Sequence, residues 1–436
     1  MCDSLCSLQP ERTLFAKNSD RPPNEAQVVE LHPARPGGAT LATTYLELED
    51  PGAAALIGSR PAWQWGLEHG VNQHGVAIGN EQVWTVDDPS SVPPALTGLD
   101  LVRLGLERGR CASDALDHLT SLLERHGQGG IADRQEAKAY FSSFLITDPT
   151  EAWILETSGR TWAARRVDPA EGGTALSNRI SLSTDWTRAS PEVARAGDFD
   201  RWRRASSPTA HADRRLAVTR AAVAPHHVGS GPTPAGDLAT ERDLAAVLRD
   251  HGRRPDGPSR AAPRVDPLPP AVIDRMGTGV SVCLHLTGVQ ATTAAMIVST
   301  PRHPGRPEPI RAWAALGSPC ASLFVPLFPF DDHLDDHLDD HLDGDQVRPG
   351  LLPAELADPS TWARFAALRD RLESTRANEP ARADQLLADL SGRLGRLEDE
   401  LWAEADEVAR AGTGPRRQWT TTVWPRVEQL LGDLGV

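Results

Sequence analysis

The chain has 436 residues, 39% of them hydrophobic and 24% charged, with 36 Gly, 36 Pro and a formal net charge of −15. That is a turn-rich globular composition, long enough for one large domain or two to three smaller ones. An acidic chain repels phosphate backbones, which argues against nucleic acid as a partner, and no run of about 18 apolar residues points to a membrane-spanning helix. The opening Met1-Cys2-Asp3-Ser4-Leu5-Cys6 has neither a basic stretch nor an apolar one after it, so no secretory or lipoprotein leader is expected. The five cysteines, Cys2, Cys6, Cys111, Cys283 and Cys320, are odd in number and scattered, which argues against a disulfide framework. A soluble, reducing, cytoplasmic setting is expected. Positive charge is nearly all Arg, with Lys only at Lys17 and Lys138, a codon-level bias that says little about function.

In chain order, the first 85 residues read as strands and turns. Leu14-Phe15-Ala16 runs into the polar cluster Lys17-Asn18-Ser19-Asp20-Arg21-Pro22-Pro23, and Gln27 to His32 and Thr40 to Glu47 are further strand candidates. Gly75 to Glu81 reads as a buried strand entering a turn. Two helices follow: Asp100 to Glu107, and Ala115 to Arg125 with Ser113 as N-cap and Gly127 as C-cap. Gly127-Gln128-Gly129-Gly130 is then a helix stop or a cleft lining. Tyr140 to Ile146, Ala152 to Thr157 and Thr161 to Val167 form a predicted meander, with turns at Asp148-Pro149-Thr150-Glu151 and Ser158-Gly159-Arg160. From about Thr187 to Thr278 the sequence is a Pro/Gly/Arg-rich insert carrying two helices, Ala212 to Ala224 and Thr240 to His251. Strands resume over Gly279 to Leu286 and Ala291 to Ser299, the latter small and β-branched like a buried strand.

Residues 331 to 343 repeat Asp-Asp-His-Leu and space His333, His337 and His341 four apart. A metal-binding helix face and a solvated acidic loop both fit; the loop is preferred, because nothing nearby supplies outer-shell partners. No metal and no cofactor are therefore assigned. In the helical C-terminal part, Leu387, Leu390, Leu394, Leu397 and Leu401 form a 3-4-3-4 stripe, read as packing against the parent domain rather than as a dimer seam, and a last helix spans about Val423 to Leu434. The expected organisation is a domain over residues 1–330 with the polar insert 187–278, an acidic linker over 331–350, and a helical region over 351–436.

Cys2 is the residue on which a chemical reading turns. Methionine aminopeptidases remove Met1 ahead of a small second residue, which would leave a thiol and a free α-amine on one residue. With reference pKa values of about 8 and 8.5, the amine can serve as general base for its own thiol near neutral pH. A nearby cation would favour the thiolate and a nearby carboxylate would orient the amine; Lys17, Asp20 and Arg21 supply both charges. A position-2 cysteine and an ordinary polar turn are the alternative reading of the same residues.

Several blocks carry a resemblance: Met1-Cys2-Asp3; Phe15 to Glu25; Trp63 to Thr85, including Glu68-His69-Gly70 and Gly79-Asn80-Glu81; Gly98 to Arg108; Gly127 to Gly130; Ser177-Asn178-Arg179; Ser281-Val282-Cys283-Leu284-His285; and Leu316 to Pro319. Together they resemble the secernin family and related cysteine dipeptidases over most of residues 2 to 330. The resemblance implies an α+β fold, the four-layer αββα sandwich of N-terminal-nucleophile hydrolases, here with added C-terminal helices. It implies that Cys2 attacks a peptide or amide carbonyl and forms a thioester, on a small peptide or amide substrate. It implies that Asp20 bonds the α-amine, that Asn80 donates to the oxyanion and that Asn178 is a second polar group beside the substrate. Lys17 stands where related enzymes place an arginine, a departure that forgoes bidentate contact. Arg21, Glu81 and Arg179 are expected to bind substrate. A later active-site arginine is not fixed by the motifs; Arg179 and Arg203 are candidates. Secernins also suggest another class of function, a catalytically silent regulatory scaffold. Trp63, Trp65 and Trp84 read as core rather than substrate shelf, and His285, Cys283, Cys320 and Cys6 as buried packing. A homo-oligomer is possible.

Overall fold

The computed structural model describes residues 1–205, 209–224, 238–251, 280–286, 288–302, 308–330 and 352–436. The acidic repeat at 331–343 lies outside them. The strands in chain order are β1 (Cys2–Leu8), β2 (Arg12–Arg21), β3 (Gln27–His32), β4 (Arg35–Ala42), β5 (Glu47–Ala53), β6 (Leu56–Pro61), β7 (His69–Asn72) and β8 (Ala77–Val83). They continue with β9 (Ile131–Asp133), β10 (Lys138–Ala139), β11 (Phe141–Thr147), β12 (Ala152–Ser158), β13 (Thr161–Arg166), β14 (Gly173–Leu176) and β15 (Arg188–Ala189). The last are β16 (His285–Leu286), β17 (Gln290–Pro301), β18 (Arg311–Leu316) and β19 (Val325–Leu327). The helices are α1 (Gly98–Arg108), α2 (Ala112–His126), α3 (Pro191–Ala196), α4 (Thr209–Val223), α5 (Glu241–Leu248), α6 (Pro359–Asn378), α7 (Pro380–Ala409) and α8 (Thr413–Asp433).

Two antiparallel sheets carry the fold. One runs β14-β1-β2-β17-β18-β19 with β16 added beside β17, and the other runs β15-β13-β12-β11-β8-β7-β6-β3. Alternation along β2 shows why they stack. Phe15 points between the sheets with Cys6, Met296, Val29, Val71 and Phe141, while Leu14 and Ala16 point outward with Leu5, Ile297 and Trp313. That outer face is covered by Leu216 and Val223 of α4, and by Leu244 and Leu248 of α5. On the second sheet, Ile78, Phe144, Ile146 and Leu155 point away from the first and receive Leu101, Leu104, Leu116 and Leu119 of α1 and α2. The result is a four-layer αββα sandwich. Leu390, Leu394 and Leu401 of the leucine stripe join the core cluster of the sandwich, with Leu387 and Leu397 packed against it.

Several boundaries differ from expectation. Residues 40 to 47 are not one strand: 40–42 end β4, 43–46 form a turn and Glu47 opens β5, which pairs with β4. Cys111 rather than Ser113 is the N-cap of α2, because the helix begins a turn early, with Ala112 N bonded to Asp148 Oδ2 at 2.8 Å. Gly127 ends α2 at φ +80°, so the glycine cluster is a helix stop. The expected strand over 279 to 286 begins one residue outside the described segment, and of residues 280 to 286 only His285–Leu286 pair as strand. The last helix starts at Thr413 and carries Pro425 inside it.

Candidate active site

Cys2 begins β1 and is 6% exposed. It pairs with Ser19 of β2, while Ser4 pairs with Lys17 and Cys6 with Phe15. Period-two alternation therefore sorts the polar residues of both strands onto two faces. Cys2, Ser4, Lys17 and Ser19 face the second sheet; Asp3, Asn18 and Asp20 face the helix layer.

Between the sheets, Lys17 is fully buried. Its Nζ donates to Ser19 Oγ at 3.0 Å and the Asn18 carbonyl at 3.3 Å, and lies 3.7 Å from Glu68 Oε2. Burial alone would lower its pKa, but the nearby Cys2, Glu68, Glu81 and Asp20 hold it above its ordinary value. Space for it exists because residue 79 is glycine: a Cβ there would lie 2.4 Å from Lys17 Cδ. Glu81, next on the same face, accepts from Ser4 Oγ, and burial pushes its carboxyl up to about 7. His69 Nδ1 sits 3.1 Å from Ser19 Oγ and is held well below its ordinary pKa by burial and by Lys17. Burial pushes the Cys2 thiol up, and Lys17 pulls it back only in part.

On the helix side, Arg215 of α4 is fully buried and gathers the start of the chain. Nη1 donates to Asp3 Oδ2 at 2.8 Å, to Asp20 Oδ2 at 3.4 Å and to the Cys2 carbonyl at 3.4 Å, and Nη2 donates to Asn178 Oδ1 at 2.6 Å. The same Asn178 oxygen accepts from the Cys2 backbone nitrogen at 2.7 Å, and Asn178 Nδ2 donates to the Gln82 carbonyl at 2.9 Å. Asp20 Oδ1 accepts from Thr292 Oγ1 at 2.6 Å; burial raises the Asp20 carboxyl to about 6, against the pull of the N-terminus and Arg215. The Met1 α-ammonium donates to Gln290 Oε1 at 2.9 Å and to the Asp20 carbonyl at 3.4 Å. Met1, Cys2, Asp20, Arg21, Glu68, Asn80, Gln82, Asp133, Tyr140 and Gln290 line a pocket at this end of the sheets.

The structure thus gathers Cys2, Lys17, Asp20 and Asn178, and alters the picture of the others. The Cys2 nitrogen bonds Asn178 rather than the Asp20 carboxylate while Met1 is attached. Asn80 borders the pocket, but its Nδ2 donates to Ser142 Oγ at 3.4 Å, so the expected oxyanion donor is engaged elsewhere. Arg21 lines the pocket with its guanidinium committed to Glu25, Glu68, Tyr140 and the Ala132 carbonyl. Glu81 lies buried behind the pocket, not in it. Arg179 is turned away and pairs with Asp213, and Arg203 pairs with Asp200 on the surface. The guanidinium bonded to the Cys2 carbonyl is that of Arg215, which sequence reading missed; it lies inside the expected helix at 212–224, one of many arginines in a polar insert. Gln290, Tyr140 and Glu68 were missed as well. Cys6 is core, as expected, with burial pushing its thiol up to about 12. Trp63, Trp65 and Trp84 are half-buried; Trp65 packs against the core beneath α1 and α2 with the Arg103 guanidinium 4.2 Å over its ring, and Trp63 Nε1 donates to Glu25 Oε1 at 2.8 Å.

Among the described residues no helix is long and apolar enough to cross a membrane. Solved structures similar to this chain include a mutant conjugated bile acid hydrolase from Clostridium perfringens, at 10% identity and TM-score 0.37 over 81% of this chain and 97% of that one. They include penicillin V acylase from Agrobacterium tumefaciens, at 10% and 0.37 over 75% and 86%. A Caenorhabditis elegans N-acylethanolamine-hydrolyzing acid amidase ortholog matches at 9% and 0.36 over 70% and 94%. Residues 60–188 match the model of Peptidase family C69.

Proposed function

We propose that this chain is a cysteine N-terminal-nucleophile hydrolase that cleaves a peptide bond in a dipeptide-like substrate through a Cys2 thioester, after loss of Met1. The observation that carries this reading is the bond from the Cys2 nitrogen to Asn178 Oδ1 at 2.7 Å, inside a ring of Asp3, Asp20 and Arg215. Two buried carboxylates against one guanidinium leave that ring short of a positive charge beside the nitrogen. A released α-amine would supply it in protonated form. The match to Peptidase family C69 over residues 60–188, which include Asn80 and Asn178, supports the reaction class.

The chemistry follows from the thiol's surroundings. Because burial pushes the Cys2 thiol up, it keeps its proton near neutral pH unless a base removes it. In the processed chain the α-amine of Cys2 takes that proton, Sγ attacks the substrate carbonyl, and the protonated amine passes the proton to the departing amine. Water, activated by the same amine, then hydrolyses the thioester. Asn80 borders the pocket with its side chain on the α1 face of β8, beside Ser142 and Gly98, so its amide would have to leave that face to serve the oxyanion. Met1 argues for a free amino terminus on the substrate. It is itself an aminoacyl group joined to Cys2, and its ammonium is met by Gln290 Oε1 and the Asp20 carbonyl.

Intact mass and turnover test the proposal together. The active form should lack Met1, and Cys2→Ala should reduce dipeptide hydrolysis at least about 10⁴-fold with its thermal transition preserved. N-acetylated dipeptides should be poorer substrates than free ones, and Gln290→Leu should raise KM for the free ones. An active chain that retains Met1, or an undiminished Cys2→Ala variant, overturns the mechanism. If Cys2 is labelled by a mild electrophile no faster than Cys6, the silent-scaffold reading replaces it.

A further inference from the structure

A second cluster of reactive side chains lies apart from the thiol of Cys2. His251, Cys283, His285 and Cys320 each offer one ligand atom, and these four atoms lie within 4.8 Å of one another. They come from three parts of the chain: His251 just after α5, Cys283 just before β16 with His285 as its first residue, and Cys320 in the short turn Pro319–Ala321. Cys283, His285 and Cys320 are buried and His251 is half-buried.

We propose that these four side chains hold a structural zinc ion. Two cysteines and two histidines are the donor set of a closed tetrahedral zinc site, and two thiolates balance the charge of Zn²⁺. Bonds of about 2.0–2.3 Å in a tetrahedron require ligand-to-ligand edges of roughly 3.3–3.8 Å. His285 Nε2 already lies 3.4 Å from Cys283 Sγ and 3.3 Å from Cys320 Sγ. The buried His251 Nε2 makes no hydrogen bond, and its ring stands edge-on to His285 with centroids 5.2 Å apart. His285 Nδ1 is 2.9 Å from Glu373 Oε1 of α6, the carboxylate–histidine pairing that fixes the tautomer and leaves Nε2 for a metal. On binding, each cysteine forms a sulfur–zinc bond and releases its thiol proton to solvent, with no change of oxidation state. No fourth position is left open for water, so the ion is a staple rather than a catalyst.

The staple has a purpose in this fold. It ties the end of α5, the 280–286 segment and the 319–321 turn together, and through Glu373 it reaches the C-terminal helices. Leu284, between two ligands, donates its N–H to Thr292 Oγ1 at 2.9 Å, and that hydroxyl donates to Asp20 Oδ1. Leu284 also packs with Val280, Leu286 and Met1. The ion would therefore fix one wall of the Cys2 pocket without touching it.

Elemental analysis of the full chain, purified reduced and without chelator, should find about one zinc per chain. After chelator treatment, Co²⁺ titration of the unsubstituted chain should give the visible absorption of tetrahedral, thiolate-bound cobalt. Cys283→Ser and Cys320→Ser should lose that absorption and the zinc, whereas Cys111→Ser and Cys2→Ala should keep both. Glu373→Gln should weaken zinc affinity about 10-fold. Failure of the reduced native chain to take up Zn²⁺ or Co²⁺ overturns the proposal, as does full zinc content in the Cys283→Ser/Cys320→Ser double variant. A Cys283–Cys320 disulfide in the mapped native protein overturns it too. Metal content is read independently of turnover, so a failed hydrolase assay and a failed zinc assay remain distinct results.

Discussion

Arg215 is the residue on which the helix side of the site depends. It pairs with both Asp3 and Asp20 in a place where all three side chains are buried. Arg215→Met removes one partner and strands two buried carboxylates, which should cost about 3–5 kcal/mol in a urea unfolding series. Adding Asp3→Asn should restore part of that loss. Arg215→Lys should not restore the site, because one ammonium cannot reach Asp3 and Asn178 from two nitrogens. Glu81 gives a pH signature. Burial raises its carboxyl from an ordinary 4.5 to about 7. Between those values the folded chain holds more protons than the unfolded one, so stability falls as pH rises from about 4.5 to 7. Asp20, raised from 3.8 to about 6, adds to the same slope. Glu81→Gln should flatten the fall of Tm across that window, and an unchanged slope would remove Glu81 as a source. Cys2, Lys17, Asp20 and Asn178 were legible because they sit in family-like blocks. Arg215 was not, because a helix and a strand start 213 residues apart meet only through tertiary packing. The face of Glu81 was not legible from the motif either: on a strand, Asn80 and Glu81 must point opposite ways, and the motif does not say which is inside.

At the scale of elements, the approach of β8 to β2 sets how the two sheets can share a buried lysine. Gly79 leaves the gap that Lys17 fills. Gly79→Ala would push against Lys17 Cδ and, at 3.0 Å, the Phe15 ring. The lysine stem would have to shift away from Glu68 and Ser19. An overpacking cost of about 1–3 kcal/mol is expected by chemical denaturation, together with slower electrophile labelling of Cys2 in the processed chain as its cation moves. Helices and several strands of the second sheet were well legible: α1, α2, β3 and β11 to β13 fall within a few residues of expectation, because their apolar periods match their burial. The exceptions have physical causes. The turn between β4 and β5 interrupts a Thr- and Leu-containing run that pattern reading takes for one strand. The 280–284 segment is apolar yet unpaired; Asn18 Nδ2 bonds the Val282 carbonyl at 2.9 Å, and Cys283 N donates to the Asp250 carbonyl at 3.0 Å. Side chains and a loop thus satisfy backbone groups there that a ladder would otherwise take.

At the scale of the whole molecule, the C-terminal helices are part of what holds the sandwich closed. The leucine stripe of α7 was read correctly as packing on the parent domain, since its leucines face the core cluster. The sequence did not reveal that the same helix reaches the outer face of the first sheet as well. Trp402 does so: it is 4% exposed, its ring lies 5.3 Å from that of Trp313, and its Nε1 donates to the Phe324 carbonyl at 2.8 Å. Arg242 stacks over it at 4.8 Å, and Arg249 of the same insert pairs with Glu398, one turn earlier on α7. Glu398 in turn accepts from Phe324 N at 2.6 Å. One short stretch of α7 therefore joins the helix layer over β1 and β2 to β18 and the strand beyond it. Trp402→Ala removes a large buried ring and leaves the Phe324 carbonyl without its donor, which should cost about 3–5 kcal/mol. Trp402→Phe keeps most of the packing and loses only the hydrogen bond, so it should cost about 1–2 kcal/mol. If α7 belongs to the same cooperative unit as the sheets, both variants should shift a single unfolding transition, followed alike by tryptophan fluorescence and by far-ultraviolet circular dichroism. A second transition, moved by Trp402→Ala while the first stays fixed, would show that the helices melt away from an intact sandwich.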